Sequence, residues 1–235
     1  QAWIDTQIKM APSQITTPAT LYNYENNDRP AESRASAYHD GKVQGLLIGG
    51  QDQLRLRTTW ALSNFLVVSL RKIKPYGASE YFNVLQRQAF GSYADLLKGI
   101  TLSPAMGSYL DNSQNTRYQL NENYGRELMQ LFSVGLVNLN LDGSVQRDAA
   151  GKPIETYSQR DVIEATRTLT GWNWAEGDQQ RPSANFANYG KTMVQFWSDQ
   201  HDTGSKTVLG KTIAAGQSAE KDLDSLIQIL VTHPN

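Results

Sequence analysis

The sequence predicts a mainly α-helical protein, built as a single multi-helix domain with one small β-hairpin inserted between helices. Three features of the chain indicate this class. Apolar residues recur at helical spacing in several segments, residues that favour helix N-caps precede them, and one segment alternates apolar and polar residues as a strand does. A chain of 235 residues can bury a core without disulfides or metals.

Composition excludes several classes of protein. The formal net charge is −1, so the basic surplus typical of a nucleic-acid-binding protein is missing. The chain has no cysteine, which excludes thiolate zinc sites and thiol nucleophiles. No run approaches about 18 consecutive apolar residues, so we predict no transmembrane segment.

Three histidines are too few for a His-rich metal centre, and we predict neither a metal nor a cofactor. We expect His39 in a surface loop, because it begins a His-Asp-Gly turn. We expect His233 at a helix end, where a cation offsets the helix dipole.

The N-terminal part, residues 1–50, shows little periodicity and is predicted to be irregular, with short helices and loops. A helical body then covers residues 52–135. Its first helix is predicted from Asp52 to about Lys74, because apolar residues surround its middle on nearly all sides and Pro75 stops it.

Four further helices follow in the helical body. Serine and asparagine are favoured N-caps because their side chains accept hydrogen bonds from free backbone N–H groups. The expected N-terminal residues are Ser79, Ser92, Ser103 and Asn121.

A change of pattern follows the fifth helix. Apolar and polar residues alternate, and Asp142-Gly143 is a strong hairpin-turn dipeptide, so residues 137–157 are predicted as a β-hairpin. Residues 158–212 are predicted as a helix followed by an aromatic loop region, and residues 218–233 as the final helix.

Two glutamates in the segment 121–132 occupy different positions on a helical wheel. Glu122 lies on the solvated side, four residues before Arg126, which predicts an ion pair. Glu127 falls about 60° from Tyr124 on the buried stripe, so we expect it to be half-buried. Burying an unpaired carboxylate is costly, and such a group needs a partner, a raised pKa or a metal.

The partner of Glu127 is left open between structural and catalytic roles. The structural candidates are Arg55, Arg57 and Arg167. Arg167 also lies three residues after Glu164, which predicts a local ion pair. His201-Asp202 places an imidazole beside a carboxylate, as a general base requires. The candidate catalytic residues are therefore Glu127, His201 and Asp202.

Candidate substrate-binding residues lie around this group. They are Arg126, Trp172, Trp174 and Lys206. Tryptophans, Trp197 included, either stack on sugar rings or cover the core below a long loop, and we favour the core.

Several blocks of the chain resemble a bacterial family, domain of unknown function 1800. The most specific block is Asn121-Glu122-Asn123-Tyr124-Gly125-Arg126-Glu127-Leu128-Met129. The others are residues 53–57, 61–69, 89–97, 101–111, 157–159, 161–162, 170–172, 201–202, 206, 209–210 and 233–235. The resemblance extends over about residues 50–235.

This resemblance implies an exported protein, periplasmic or extracellular, whose gene neighbours encode a sulfatase-like partner. It also implies that the chain is a fragment without its N- and C-terminal flanks. Some members have two histidines where this chain has Ser63 and Phe65, so the resemblance implies no metal site here. It implies no established reaction.

Two functions from different classes remain open. The first is an exported helical binding or scaffold protein that acts with a secreted partner, favoured because no complete catalytic constellation is visible in the sequence. The second is a hydrolase on an extracellular polymer, with Glu127 as acid or base and His201 and Asp202 as the second group. The second requires these side chains to converge.

Overall fold

The computed structural model describes residues 1–16, 29–175, 189–195 and 199–235. The chain divides into two compact units, one formed within residues 1–109 and 174–193 and the other within 110–173 and 194–235. The single domain expected from the sequence stays a prediction. Three aromatic residues of the predicted loop region, Phe186, Phe196 and Trp197, lie outside the described residues.

The first unit is helical in its described part. Its helices are α1 (Ala2–Lys9), α2 (Arg29–Gly49), α3 (Gln53–Ser63), α4 (Pro75–Gln88), α5 (Tyr93–Thr101) and α6 (Pro104–Tyr109). Helix α4 is central, because α2, α3, α5 and α6 all pack against it. Most of its side chains are therefore buried.

Residues 29–49 form helix α2, where the sequence predicts irregular structure. The predicted turn at His39 is wrong, because this residue lies within α2. The N-terminal segment is held by Asn83 of α4, whose Oδ1 accepts from the N–H of Ile15 at 2.8 Å and whose Nδ2 donates to its carbonyl at 2.9 Å. A hydrogen-bonded amide thus fixes a segment that has no strong sequence pattern.

Helix α3 ends at Ser63, so its predicted extension to Lys74 is wrong. Two polar side chains compete with the helix here: the Ser63 hydroxyl and the Asn64 amide both donate to the carbonyl of Trp60, at 2.8 and 2.6 Å. The prediction of an all-round buried helix is also wrong, since Trp60 is 49% exposed and Phe65, beyond the helix, is 42% exposed.

The second unit combines helices with two short antiparallel strand pairs. Its elements are α7 (Glu122–Gln130), α8 (Gln159–Thr168), β1 (Trp172–Asn173), β2 (Val194–Gln195), β3 (Lys206–Val208), β4 (Lys211–Ile213) and α9 (Ala219–Val231). Strand β1 pairs with β2, and β3 pairs with β4 with Val208 opposite Lys211. Helix α8 packs against α7, β3 and α9.

The close approach of α7 to α8 depends on Gly125. A Cβ at this position would lie 2.6 Å from Oγ1 of Thr166 on α8, which is shorter than any ordinary contact. Glycine therefore lets the backbone of α7 approach the Thr166 side chain of α8. Gly125 belongs to the block 121–129, which is the most specific part of the family resemblance.

The segment 137–157 reverses direction as predicted, but it contains only isolated bridges. They pair Val137 with Glu155, Leu139 with Val145 and Arg147 with Pro153. The regular strands of the described chain are β1–β4 instead. The predicted class, mainly helical with a small β portion, is confirmed.

Helix caps are predicted in part. Ser92 and Asn121 accept a backbone N–H near the start of their helices, as expected, and so do Ser158 and Ser218 where the two later helices are predicted to begin. The predicted helix start at Ser79 is wrong, because α4 begins at Pro75 and Ser79 lies within it. In the described parts of the chain, no helix combines the length and apolarity that a membrane crossing requires.

Candidate functional site

The N-terminal turn of α7 carries the predicted ion pair. Arg126 Nη2 lies 2.7 Å from Glu122 Oε2, and both side chains are more than a third exposed, which confirms a solvated pair. Gln159 of α8 closes a ring, since its Oε1 accepts from Arg126 at 2.9 Å and its Nε2 donates to Glu122 at 2.8 Å. Arg126 thus joins two helices.

Glu127, the next residue, is half-buried as expected, but its Oε2 is buried and has no hydrogen-bond partner among the described residues. The hydroxyls of Thr156 and Tyr157 are also buried without a hydrogen-bond partner among the described residues. Burial raises the pKa of Tyr157; the positive charge of Arg126 opposes this shift and the negative charge of Glu127 adds to it. Tyr157 therefore lies within electrostatic range of both groups.

Thr156 and Tyr157 line an open cleft of about 380 Å³, which we call the polar cleft. Its described lining consists of Glu155, Thr156, Tyr157, Ser158, Asp161, Leu209, Gly210 and His233. Buried polar atoms without partners are uncommon in folded proteins, and they mark places where water or a ligand completes the hydrogen bonding.

The arginines proposed as partners of Glu127 bind other acceptors. Arg55 donates to the carbonyls of Gln86, Ile8 and Met10, and Arg57 donates to that of Leu47. Arg167 binds Asp202 and Glu164. The prediction of a local Glu164–Arg167 pair is confirmed, at 2.8 Å.

His201 lies in the interior of the second unit and is only 3% exposed. Its Nε2 is 3.1 Å from Oδ2 of Asp222 on α9, and its Nδ1 is 3.0 Å from the carbonyl of Thr170. Both ring nitrogens are therefore engaged with the protein itself.

Lys206, at the start of β3, meets the same carboxylate. Its Nζ lies 2.5 Å from Oδ2 of Asp222 and also donates to the carbonyl of Asp202. Lys206 and Asp222 are 1% and 0% exposed. We call His201, Lys206 and Asp222 the buried cluster; its ammonium and carboxylate neutralise each other in a site without solvent.

Asp202 points instead to Arg167. Arg167 Nε and Nη2 lie 2.8 and 3.1 Å from the two carboxylate oxygens, and the N–H of Gly204 donates to Oδ1 at 2.8 Å. Burial pushes the pKa of Asp202 up, but the bonds from Arg167 and Gly204 outweigh it, so this pKa is lowered.

Two further carboxylates of α8 bind the backbone of the β3–β4 hairpin. Glu164 Oε2 accepts from the N–H of Thr207 at 3.1 Å, and Asp161 Oδ1 accepts from that of Leu209 at 2.7 Å. The acidic side of α8 thus supplies acceptors for an otherwise open strand edge.

The residues predicted as catalytic do not form one hydrogen-bonded group. In the described part of the chain, no hydrogen bond or ion pair joins Glu127 to His201 or Asp202. Trp172 and Trp174 are buried, at 3% and 7% exposure, which leaves little ring surface for a sugar.

Asp222, Thr156 and Tyr157 are site residues that the sequence reasoning missed. Asp222 precedes Leu226 by four residues, so it lies on the buried face of α9, where an acidic residue signals a buried partner. Tyr157 carries no comparable signal, because it lies in an irregular segment.

These contacts define a mainly helical protein with a buried ion cluster and a solvent-open polar cleft in its second unit. The chain belongs to the DUF1800 family of proteins of unknown function, whose family model matches residues 1–235. The resemblance found in the sequence is thereby confirmed and extends to residues 1–50. No curated protein and no solved structure matches the chain.

Proposed function

We propose that this chain is a binding or scaffold protein, and that its second unit binds a neutral ligand rich in hydroxyl groups at the polar cleft. The observation that carries the proposal is that two residues of the cleft lining, Thr156 and Tyr157, have buried hydroxyls with no hydrogen-bond partner among the described residues. Glu127 Oε2 also has none there, and the charge of Glu127 acts on Tyr157. Leaving such atoms unpaired costs about 1–3 kcal/mol each, so a ligand that pairs them binds favourably.

The chemistry of these atoms selects the ligand. Since the pKa of Tyr157 is raised, its hydroxyl keeps its proton at neutral pH and donates. Glu127 Oε2 offers an acceptor, and Thr156 can do either. A ligand hydroxyl both donates and accepts, so a polyol or sugar in the cleft can pair the hydroxyls of Thr156 and Tyr157.

The charges of the cleft disfavour an anionic ligand. Glu155 and Asp161 bring carboxylates to its described lining. Burial lowers the pKa of His233, so this ring is neutral at pH 7. A negatively charged ligand would therefore meet repulsion without a compensating cation from this lining.

The contacts of His201 and Asp202 support binding over hydrolysis. A general base must reach the proton that it removes. His201 is buried with both nitrogens engaged, and Asp202 is held by Arg167 on both oxygens. In a hydrolase that used Glu127 with His201 and Asp202, His201 would first have to leave Asp222 and Thr170, and Asp202 would have to leave Arg167.

Export and a sulfatase-like secreted partner remain part of this proposal, and only the family resemblance supports them. Cell fractionation of the tagged protein tests export, with recovery in the cytoplasmic fraction as the contrary result. Co-purification with the neighbouring sulfatase-like protein tests the partner.

Titration with neutral sugars, followed by NMR, tests the polar cleft. Glucose and N-acetylglucosamine serve as probes, and glucuronate is the charged comparison. Tyr157→Phe removes one hydroxyl and should weaken binding about fivefold, as the loss of one hydrogen bond does. Tyr118→Phe is the matched control, because Tyr118 is 66% exposed in the same unit. An affinity for the neutral sugars that Tyr157→Phe leaves unchanged, or no saturable binding of these sugars, would contradict the proposal.

A further inference from the structure

A separate cavity lies in the first unit, lined by residues of α2, α3 and α4 and of the segment after α3. Its volume is about 210 Å³. The lining is almost entirely apolar and includes the aromatic side chains Trp60, Tyr81 and Phe82. His39 and Ser63 are its polar members. An apolar cavity with few polar groups is the usual form of a small-molecule site.

We assign the proton of the neutral His39 ring from its neighbours. The Ser79 hydroxyl lies 3.2 Å from the carbonyl of Pro75, to which it can donate, and 2.9 Å from His39 Nδ1. With the Ser79 proton directed to Pro75, Nδ1 donates to the Ser79 oxygen. In the neutral ring Nε2 then carries a lone pair, and it has no hydrogen-bond partner among the described residues.

The other polar groups of the lining are already donating. The Ser63 hydroxyl donates to the carbonyl of Trp60 at 2.8 Å, and the Tyr81 hydroxyl to that of Leu66 at 2.9 Å. The Ser63 and Tyr81 oxygens keep lone pairs but already take part in a hydrogen bond, whereas His39 Nε2 takes part in none among the described residues. A ligand that brings a donor can form this bond without displacing a protein contact.

We propose that this cavity binds a small molecule of about one aromatic ring that carries a single hydroxyl or N–H donor, and that the donor bonds to His39 Nε2. The size follows from the volume, because a dry cavity of about 150 Å³ holds benzene in other proteins. The aromatic walls favour a flat apolar body. Trp60 of the lining is 49% exposed, so this wall of the cavity reaches solvent and a ligand can enter beside it.

The charge state of His39 agrees with an acceptor role at neutral pH. Burial lowers its pKa, while the neighbouring Asp40 acts in the opposite direction. On the helices packed against α2, Arg57 binds the carbonyl of Leu47 and Glu80 meets the amide of Asn83, and neither bonds to His39.

Phenol and toluene provide a matched pair of probes, since they share a ring and differ by a hydroxyl in place of a methyl. Binding is measured by Trp fluorescence and by NMR on the full chain. His39→Leu should weaken phenol binding about tenfold, as the loss of one buried hydrogen bond does, and leave toluene binding within about twofold. Lys211→Met, at an exposed position of the other unit, should leave both affinities unchanged.

A second measurement uses the unmodified protein, so that a folding defect of the variant cannot hide the answer. Lowering the pH from about 7.5, past the ordinary imidazole pKa of about 6.5, until NMR shows that the His39 ring is protonated should weaken phenol binding, because Nε2 then becomes a donor. Phenol itself stays neutral in this range and toluene binding should not change. Equal losses for both probes, loss for neither, or no saturable binding of either would overturn the proposal. The site lies in the first unit, so its failure would leave the polar cleft of the second unit unaffected.

Discussion

Two carboxylates of the second unit, Asp222 and Glu127, show opposite ways of placing an acid away from water. Asp222 is fully buried, with an ammonium at 2.5 Å and an imidazole at 3.1 Å from its Oδ2. Glu127 is only half-buried, yet its buried Oε2 has no hydrogen-bond partner among the described residues. Asp222 Oδ1 also has no hydrogen-bond partner among the described residues, so the contrast lies in the cation and the imidazole that meet Oδ2.

The difference shows that burial alone does not mark a functional acid. The buried cluster has partners that the chain itself supplies, so its charges serve the fold. The hydroxyls of Thr156 and Tyr157 leave bonding capacity unused in residues that line an open cleft, and a ligand can exploit this. Five substitutions or conditions test this contrast, beginning with the largest expected effect.

Lys206→Met should destabilise the protein by about 3–5 kcal/mol, because it leaves the carboxylate of Asp222 buried without its cation. Chemical denaturation monitored by circular dichroism measures the change. Lys211→Met is the matched control, since Lys211 is exposed on the paired strand β4, and it should stay within about 0.5 kcal/mol.

The double variant Lys206→Met with Asp222→Leu sharpens the first test. Removing both charges should recover a large part of the lost stability, because the cost arises from the unpaired charge rather than from the missing bond. A loss for the double variant equal to the sum of the two single losses would contradict this account.

Arg167→Met should cost about 1–2 kcal/mol, less than Lys206→Met. It removes charge-assisted bonds to Asp202 and Glu164, but the Arg167 side chain is 23% exposed, so water replaces part of the interaction. Equilibrium unfolding measures it. A loss as large as that of Lys206→Met would indicate that solvent exposure does not separate the two sites.

Acid should remove the contribution of Asp202. Its pKa in the folded state lies below the ordinary 3.8, so its stabilisation is present above about pH 3.8 and is lost as the pH falls through the folded-state value. Unfolding free energies at about pH 5 and pH 3 should therefore differ less in Asp202→Asn than in the unmodified protein, by under about 1 kcal/mol. An equal pH response of both proteins would contradict the sign.

Glu127→Gln should change stability by less than about 1 kcal/mol, because Glu127 Oε2 loses no hydrogen bond on substitution. Glu122→Gln is the comparison on the same helix; it weakens an exposed pair at 2.7 Å and should also cost less than about 1 kcal/mol. A loss of about 3 kcal/mol or more for Glu127→Gln would mean that this acid is structural, as Asp222 is.

Local physics made part of this structure predictable from the sequence. Caps such as Asn121 and Ser158, and the pairs Glu122–Arg126 and Glu164–Arg167, depend on residues two to four positions apart. Spacing along a helix is sufficient to place them.

The rest depends on contacts between distant segments. Asp222 meets Lys206 and His201 across 16 and 21 positions, which no periodicity encodes. The end of α3 is predicted wrongly for a different reason. The apolar residues continue past Ser63, while the side chains of Ser63 and Asn64 donate to the carbonyl of Trp60.

The burial of Lys206 also makes its amine a reporter of local opening in the second unit. Its amine is 1% exposed and paired, so an acylating reagent cannot reach it in the closed state. Its rate of chemical labelling, read by mass spectrometry against the exposed Lys211, therefore counts how often the second unit opens. The labelling rate of this one buried amine thus reports opening motions on the scale of minutes to hours.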